Sequence, residues 1–406
     1  MNAYRAVLTV PGARSFVTAA FIGRLSLPML SLGSIVLVHS RTGSYTLAGA
    51  VNAVAATAFA AAAPVAGRLS DRAGQARVLV ASLAVHLAGL AGLVAAALAD
   101  TPRWLLFVAA IPTGAAFPQL SAMVRTRWAS LLSRDAALQT AYALESVLDE
   151  VVYIVGAVLA TTLAANLFPA AGLTGAAVLV TVGTVWFTAL RRTEPAPSSS
   201  GGRGGSQAIA NPGLRVLVGV FVMTGVTFGT LEVVMVAFAT GLGARAMAGP
   251  LLAASAGGSL LAGLWYGARD WQGPAQRRFA AALFAFAGGA FLFTVAGTIP
   301  QMAVASLVAG FTVSPALIAA FTLTEQLLPL AVLTEGFAWL DAAIGIGFAF
   351  GSSAGGLATD AVGARRAFLV GTAAALLAAG IATQGRRWLR HRVMPAAEEP
   401  RQSASA

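Results

Sequence analysis

The 406-residue chain contains neither cysteine nor lysine. Without cysteine there are no disulfides, no thiolate zinc clusters and no thiol nucleophile. Charge is scarce as well: charged residues make up 10% of the chain and hydrophobic ones 58%. A soluble fold of this length would not tolerate that balance. Phosphate-loop, zinc-site and catalytic-triad patterns are missing, and Gly345-x-Gly347 lies inside an apolar run where no nucleotide would bind. The sequence therefore suggests no enzyme, no metal and no cofactor.

What is there is apolar sequence punctuated by arginine. The net charge of +11 rests on arginine alone. Such a balance is a mark of nucleic-acid binding in soluble domains, but these arginines interrupt apolar runs instead of gathering on a soluble domain. They read as topology charges. A spanning helix needs about 20 mainly apolar residues. Twelve such stretches occur, at roughly 14–38, 45–66, 78–98, 104–124, 137–164, 170–190, 214–240, 247–267, 279–298, 301–321, 332–357 and 367–384. The first is too long for a cleavable signal peptide and runs at once into the second.

With the N-terminus inside, 20 arginines fall on cytoplasmic segments. They are Arg5 and Arg14; Arg68, Arg72 and Arg77; Arg125, Arg127 and Arg134; Arg191, Arg192, Arg203 and Arg215; Arg269, Arg277 and Arg278; and five from Arg386 to Arg401. Five fall outside: Arg41, Arg103, Arg245, Arg365 and Arg366. This bias places both termini in the cytoplasm of a multi-pass plasma-membrane protein. Arg365 and Arg366 run against it.

Residues 191–213, rich in proline, serine and glycine, read as a flexible polar linker. They separate a bundle at 1–190 from one at 214–384, with a cytoplasmic tail at 385–406. The halves are similar to each other. Gly114…Pro118 is similar to Gly310…Pro315, Ala143-Leu144-Glu145 to Trp339-Leu340-Asp341, and Gly263-x3-Gly267 with Arg269-Asp270 to the segment starting at Gly67. The expected fold is all-α integral membrane, with twelve transmembrane helices in two pseudo-symmetric six-helix bundles.

The segment Gly67–Arg77 carries Gly-x3-Asp-Arg-x-Gly and a basic residue just beyond, formed by Gly67, Asp71, Arg72, Gly74 and Arg77. This resembles the loop between the second and third helices of major facilitator superfamily transporters. The resemblance implies that Asp71 faces the start of the eleventh helix, near Pro329–Thr334, and latches the halves shut on the cytoplasmic side. It also implies that the neighbouring basic residues bind acids of their own half. A carboxylate suits a helix N-terminus, where unpaired N–H groups carry partial positive charge. A turn with orienting charges is the plain alternative. A second-half counterpart at Arg269-Asp270 is equally open.

Ionisable groups at bilayer depth are costly and mark a pathway or a partner. They are Arg24 in the first span, Glu145, Asp149 and Glu150 in the fifth, Glu232 in the seventh and Asp341 in the eleventh. Arg24 is expected to pair with Asp149 or Glu150, and Glu145 could instead lie solvated near the cytoplasmic end. One arginine cannot neutralise five acids, which leaves some for protons or a cationic substrate. His86 reads as packed and neutral; Glu325 and Glu335 read as interfacial, with Glu335 able to cap the eleventh helix.

The function expected is a secondary active transporter, a monomer in the lipid bilayer, with proton-coupled efflux of a small organic molecule preferred. Gly156 precedes Ala157, so the Gly-Pro mark of many exporters in this family is incomplete. Proton-coupled uptake of a sugar, amino acid or other nutrient is the alternative, and a non-transporting membrane sensor is a third reading.

Overall fold

The computed structural model describes residues 2–43, 45–99, 101–132, 136–197, 208–244, 247–269, 271 and 273–389. Every regular element among them is helical, as a chain in hydrocarbon must be to satisfy its backbone within each segment. Twelve helices are long and apolar enough to cross a membrane: Ala13–Thr42, Leu47–Ala73, Gln75–Leu98, Trp104–Leu131, Ala137–Ala164, Ala171–Ala189, Pro212–Gly241, Ala248–Gly267, Ala275–Val295, Ile299–Leu327, Leu330–Val362 and Ala364–Arg387. They are called spans 1 to 12 below. A short helix, Asn2–Leu8, precedes them.

Spans 1 to 6 and spans 7 to 12 form two pseudo-symmetric six-helix bundles. The close packing repeats between them. A side chain added at Gly114 would strike the backbone of Ala55, and one added at Gly310 would strike the backbone of Ser255. Span 4 therefore lies backbone-on-backbone against span 2, and span 10 against span 8. Spans 4 and 10 also break at matching places, after Ala115 and after Gly310.

Because spans alternate in direction, the ends near residues 73, 131, 189, 267, 327 and 387 share one face with the chain termini. The halves close on each other there. Tyr142 of span 5 packs edge-on against Phe321 and Phe337 of spans 10 and 11, with ring centroids 6.5 and 5.9 Å apart. Phe221 of span 7 extends the same cluster. Tyr142, Phe221 and Phe337 are fully buried, so this is an apolar plug. Tyr142 is part of that plug, not of a cavity wall.

Three expectations change. Gly67–Arg77 is not a loop: span 2 stays helical through Ala73, and only Gly74, at φ 93°, makes the turn into span 3. Arg125 and Arg127 are not connector residues but lie buried in the last turns of span 4. The linker and tail begin docked. Thr193 is buried against Arg127, the Glu194 carboxylate accepts from the Ala76 amide at 2.9 Å, and Leu389 is buried with its carbonyl bound by Gln276. Residues 198–207, Arg134, Arg245, Asp270 and the chain beyond 389 lie outside the described residues.

Two of the five arginines on the opposite face have local uses. Arg41 donates to the carbonyls of Ala97 and Leu98, and Arg365 to those of Thr294 and Val295. Each caps a helix C-terminus, of span 3 and of span 9, where a cation meets the negative end of the dipole.

Candidate functional site

Asp71 sits in the last turn of span 2 and points at the start of span 11. Its carboxylate accepts from the Glu335 amide at 2.9 Å and the Thr334 amide at 3.3 Å. These are N-terminal amides of the helix Leu333–Val362, which lack partners within their own helix. Pro329 precedes the short turn Leu330–Val332 and so lies before the helix, not in its first turn.

Gly67, one turn before Asp71, makes the approach possible. A Cβ there would stand 2.8 Å from the Glu335 Cα and 2.9 Å from the Thr334 carbonyl oxygen. The neighbouring charge also crosses over: Arg68 pairs with Glu335 of the other half at 3.5 Å. Arg68, outside the motif positions, thus reaches an acid of the other half. Arg72 is half-buried in the same turn, and Arg77 is exposed at the start of span 3. Thr334 adds a hydroxyl contact to Thr126 at 3.0 Å. Glu335 and Glu325 are buried, not interfacial, because the closed halves cover this end.

Deeper in the bundle, span 5 presents Glu145, Asp149, Glu150 and Tyr153. Glu145 and Asp149 lie one turn apart on one stripe. Arg24 bonds both, at 2.7 Å to Glu145 and 2.8 Å to Asp149. The Glu145 carboxylate also accepts from the Trp128 indole at 2.9 Å and has no exposed surface. Of the two readings of Glu145, the solvated one falls: Arg24 and Trp128 hold it inside the first half. Of the two partners expected for Arg24, Asp149 is bonded and Glu150 is not, and Glu145 is the second partner.

Asp149 differs, being 28% exposed. Its second oxygen accepts from Arg125 at 2.5 Å. Arg125 is the residue the sequence reading missed, because its position near the end of an apolar run looked like a connector. Its guanidinium also lies 4.1 Å over the ring of Phe321, in the other half.

The remaining acids lie on spans 5, 7 and 11, and Tyr153 of span 5 is exposed. Tyr153 lies in electrostatic range of Asp149, Glu150, Glu232 and Asp341. Glu150 faces Ser259 of span 8, Asp341 lies in range of Arg125 and Arg24, and Glu232 is exposed. Among the described residues, no arginine lies within 4.0 Å of Glu150, Glu232 or Asp341. Two arginines thus balance Glu145 and Asp149, and Glu150, Glu232 and Asp341, from both halves, are left without an arginine partner. No group of three or more His, Cys, Asp or Glu among the described residues could hold a metal ion. His86 is packed, with Nδ1 2.7 Å from the Thr113 carbonyl.

The family model for the Major Facilitator Superfamily matches residues 15–299. The chain belongs to the major facilitator superfamily. Solved structures of major facilitator transporters share its fold across nearly the whole length. A bacterial homologue of the iron transporter ferroportin, in an outward-facing state, has a TM-score of 0.74 at 13% identity, covering 92% of this chain and 99% of that one. The human organic anion transporter MFSD10 gives 0.69 at 17%, covering 92% and 100%. The proton:xylose symporter XylE gives 0.69 at 13%, covering 92% and 95%. At such identities the likeness is one of fold. No curated protein sequence matches the chain. As a major facilitator member, the chain is a multi-pass membrane protein built for secondary transport of a small molecule, and the family points to a transporter, not an enzyme.

Proposed function

We propose that the chain couples proton entry to export of a small cationic or amphipathic organic molecule across the plasma membrane. In this reading both termini are cytoplasmic and the structure is the outward-facing state. The observation that carries it is that Glu150, Glu232 and Asp341, on spans 5, 7 and 11 of both halves, have no arginine partner in the ion-pair range and each lies in electrostatic reach of Tyr153. Carboxyl groups at bilayer depth without a basic partner can take up protons, and in the charged form attract a cation. An aromatic ring among them adds an attractive face for an organic cation.

Asp71, with Gly67 and Arg68, holds the cytoplasmic side shut in this state and releases span 11 when the halves rock. Arg24 and Arg125 hold Asp149 in place between them, and Glu145 holds Arg24 still. Protons and substrate then compete for the same three acids, which is the simplest form of exchange.

The test is flux in proteoliposomes with an imposed pH gradient and a panel of organic cations. Export coupling predicts substrate moving against the proton gradient, with Glu150→Gln, Glu232→Gln or Asp341→Asn losing the pH response. Substrate moving with the protons would establish uptake instead, and no flux for any compound would leave a sensor.

A further inference from the structure

We propose that Tyr4 and Thr140 form a second latch on the closed face, one that binds a helix C-terminus where Asp71 binds a helix N-terminus. It rests on the alternating-access reading above and adds residues to it. The sequence similarity between the halves suggested a counterpart at Arg269-Asp270, at the end of span 8. What the structure shows at that place is different. The Thr140 hydroxyl, at the start of span 5, donates to the Gly267 carbonyl at 2.8 Å. The Tyr4 hydroxyl, on the short N-terminal helix, lies 2.9 Å from the Gly263 carbonyl and 3.1 Å from that of Leu264.

The Gly267 carbonyl ends the helix, has no partner within it and takes the Thr140 hydroxyl from the other half. The Leu264 carbonyl already accepts from the Ala268 amide, so the Tyr4 hydroxyl adds a second donor there, again from the other half. The Gly263-x3-Gly267 pair makes room for them. A Cβ at Gly267 would strike both the Tyr4 hydroxyl and the Ala143 Cβ, and one at Gly263 would come 2.9 Å from Val147. The bare face of span 8 therefore lies flat on span 5, with the phenol of Tyr4 laid over its end. Arg278 of span 9 adds a bond to Gln139 at 2.9 Å beside it.

Burial pushes the Tyr4 phenol up to about 12. A group whose folded value is raised stays protonated below it, so the hydroxyl remains a donor across physiological pH. The Tyr4 contact therefore does not switch with a proton gradient. The arrangement makes the N-terminal helix a strap: it travels with the first half, through Val7 in the core, yet ends on the second. Rocking the closed face open must break the Tyr4, Thr140 and Asp71 contacts together.

The natural absence of cysteine allows a direct test on the full-length protein. Ser146 is buried on span 5, one turn from Tyr142 and from Asp149 and Glu150. Ser146→Cys would give one thiol that a maleimide reaches when the closed face opens. In nanodiscs, Tyr4→Phe and Thr140→Val are each expected to raise the labelling rate roughly three- to tenfold, the population shift from losing one hydrogen bond. Thr140→Ser should restore the slow rate. Asp71→Asn is the control for the reading beneath. If Asp71→Asn speeds labelling and neither hydroxyl variant does, the second latch is wrong and alternating access stands. If none of the three changes the rate, both fail.

Discussion

Glu335 is held twice by one turn of span 2: Asp71 takes its backbone amide at 2.9 Å and Arg68 its carboxylate at 3.5 Å. The two contacts use opposite charges on neighbouring positions, so the helix start and the side chain next to it are bound in one step. Contact and charge both depend on Gly67 leaving the space empty.

Asp71→Asn keeps an acceptor oxygen but removes the charge that faces the helix dipole. The closed state should lose about 1–2 kcal/mol. Turnover should fall while membrane insertion, measured by yield and monodispersity, stays as in the parent. Unchanged turnover would show that the contact plays no part in the cycle.

Gly67→Ala introduces an atom 2.8 Å from backbone that has no freedom to retreat. The halves should no longer meet fully on this face. Single-molecule distances across it are expected to lengthen, and to do so even in substrate-free protein.

Glu145→Ala should be a folding variant, not a coupling variant. It leaves the Arg24 guanidinium and the Trp128 indole buried with one partner fewer, a change that costs about 3–5 kcal/mol. Thermal unfolding should drop by many degrees. A stable Glu145→Ala protein that had lost only its pH response would move Glu145 from scaffold to transport path.

Arg365→Ala removes two donors from the end of span 9. The loss should stay within about 1 kcal/mol. Topology mapping should find the same orientation, since the remaining arginines still set it.

The twelve spans and their order were legible because hydrocarbon imposes one length and one kind of residue on every segment that crosses it. The target of Asp71 was also legible, through the family resemblance carried by its charge pattern. Arg125 was not. An arginine near the end of an apolar run reads the same whether it faces water or a buried aspartate, and the difference lies in Asp149 and Phe321, which reach it from elsewhere in the chain. The depth of Glu145 was hidden for the same reason. Tyr4 lies outside any span, and its partner carbonyls carry no mark in a sequence.

The docked ends of the linker set a limit on motion. On one side the chain is fastened to the first half through Thr193 and Glu194. On the other, Asn211 binds the Leu327 carbonyl of span 10, and the Arg215 side chain binds the Ile209 carbonyl. Between Pro197 and Ala208 the covalent chain can stretch to no more than about 40 Å. However the halves are driven, they stay on a leash of that length, and a shortened linker would convert a moving carrier into one stopped part-way through its swing.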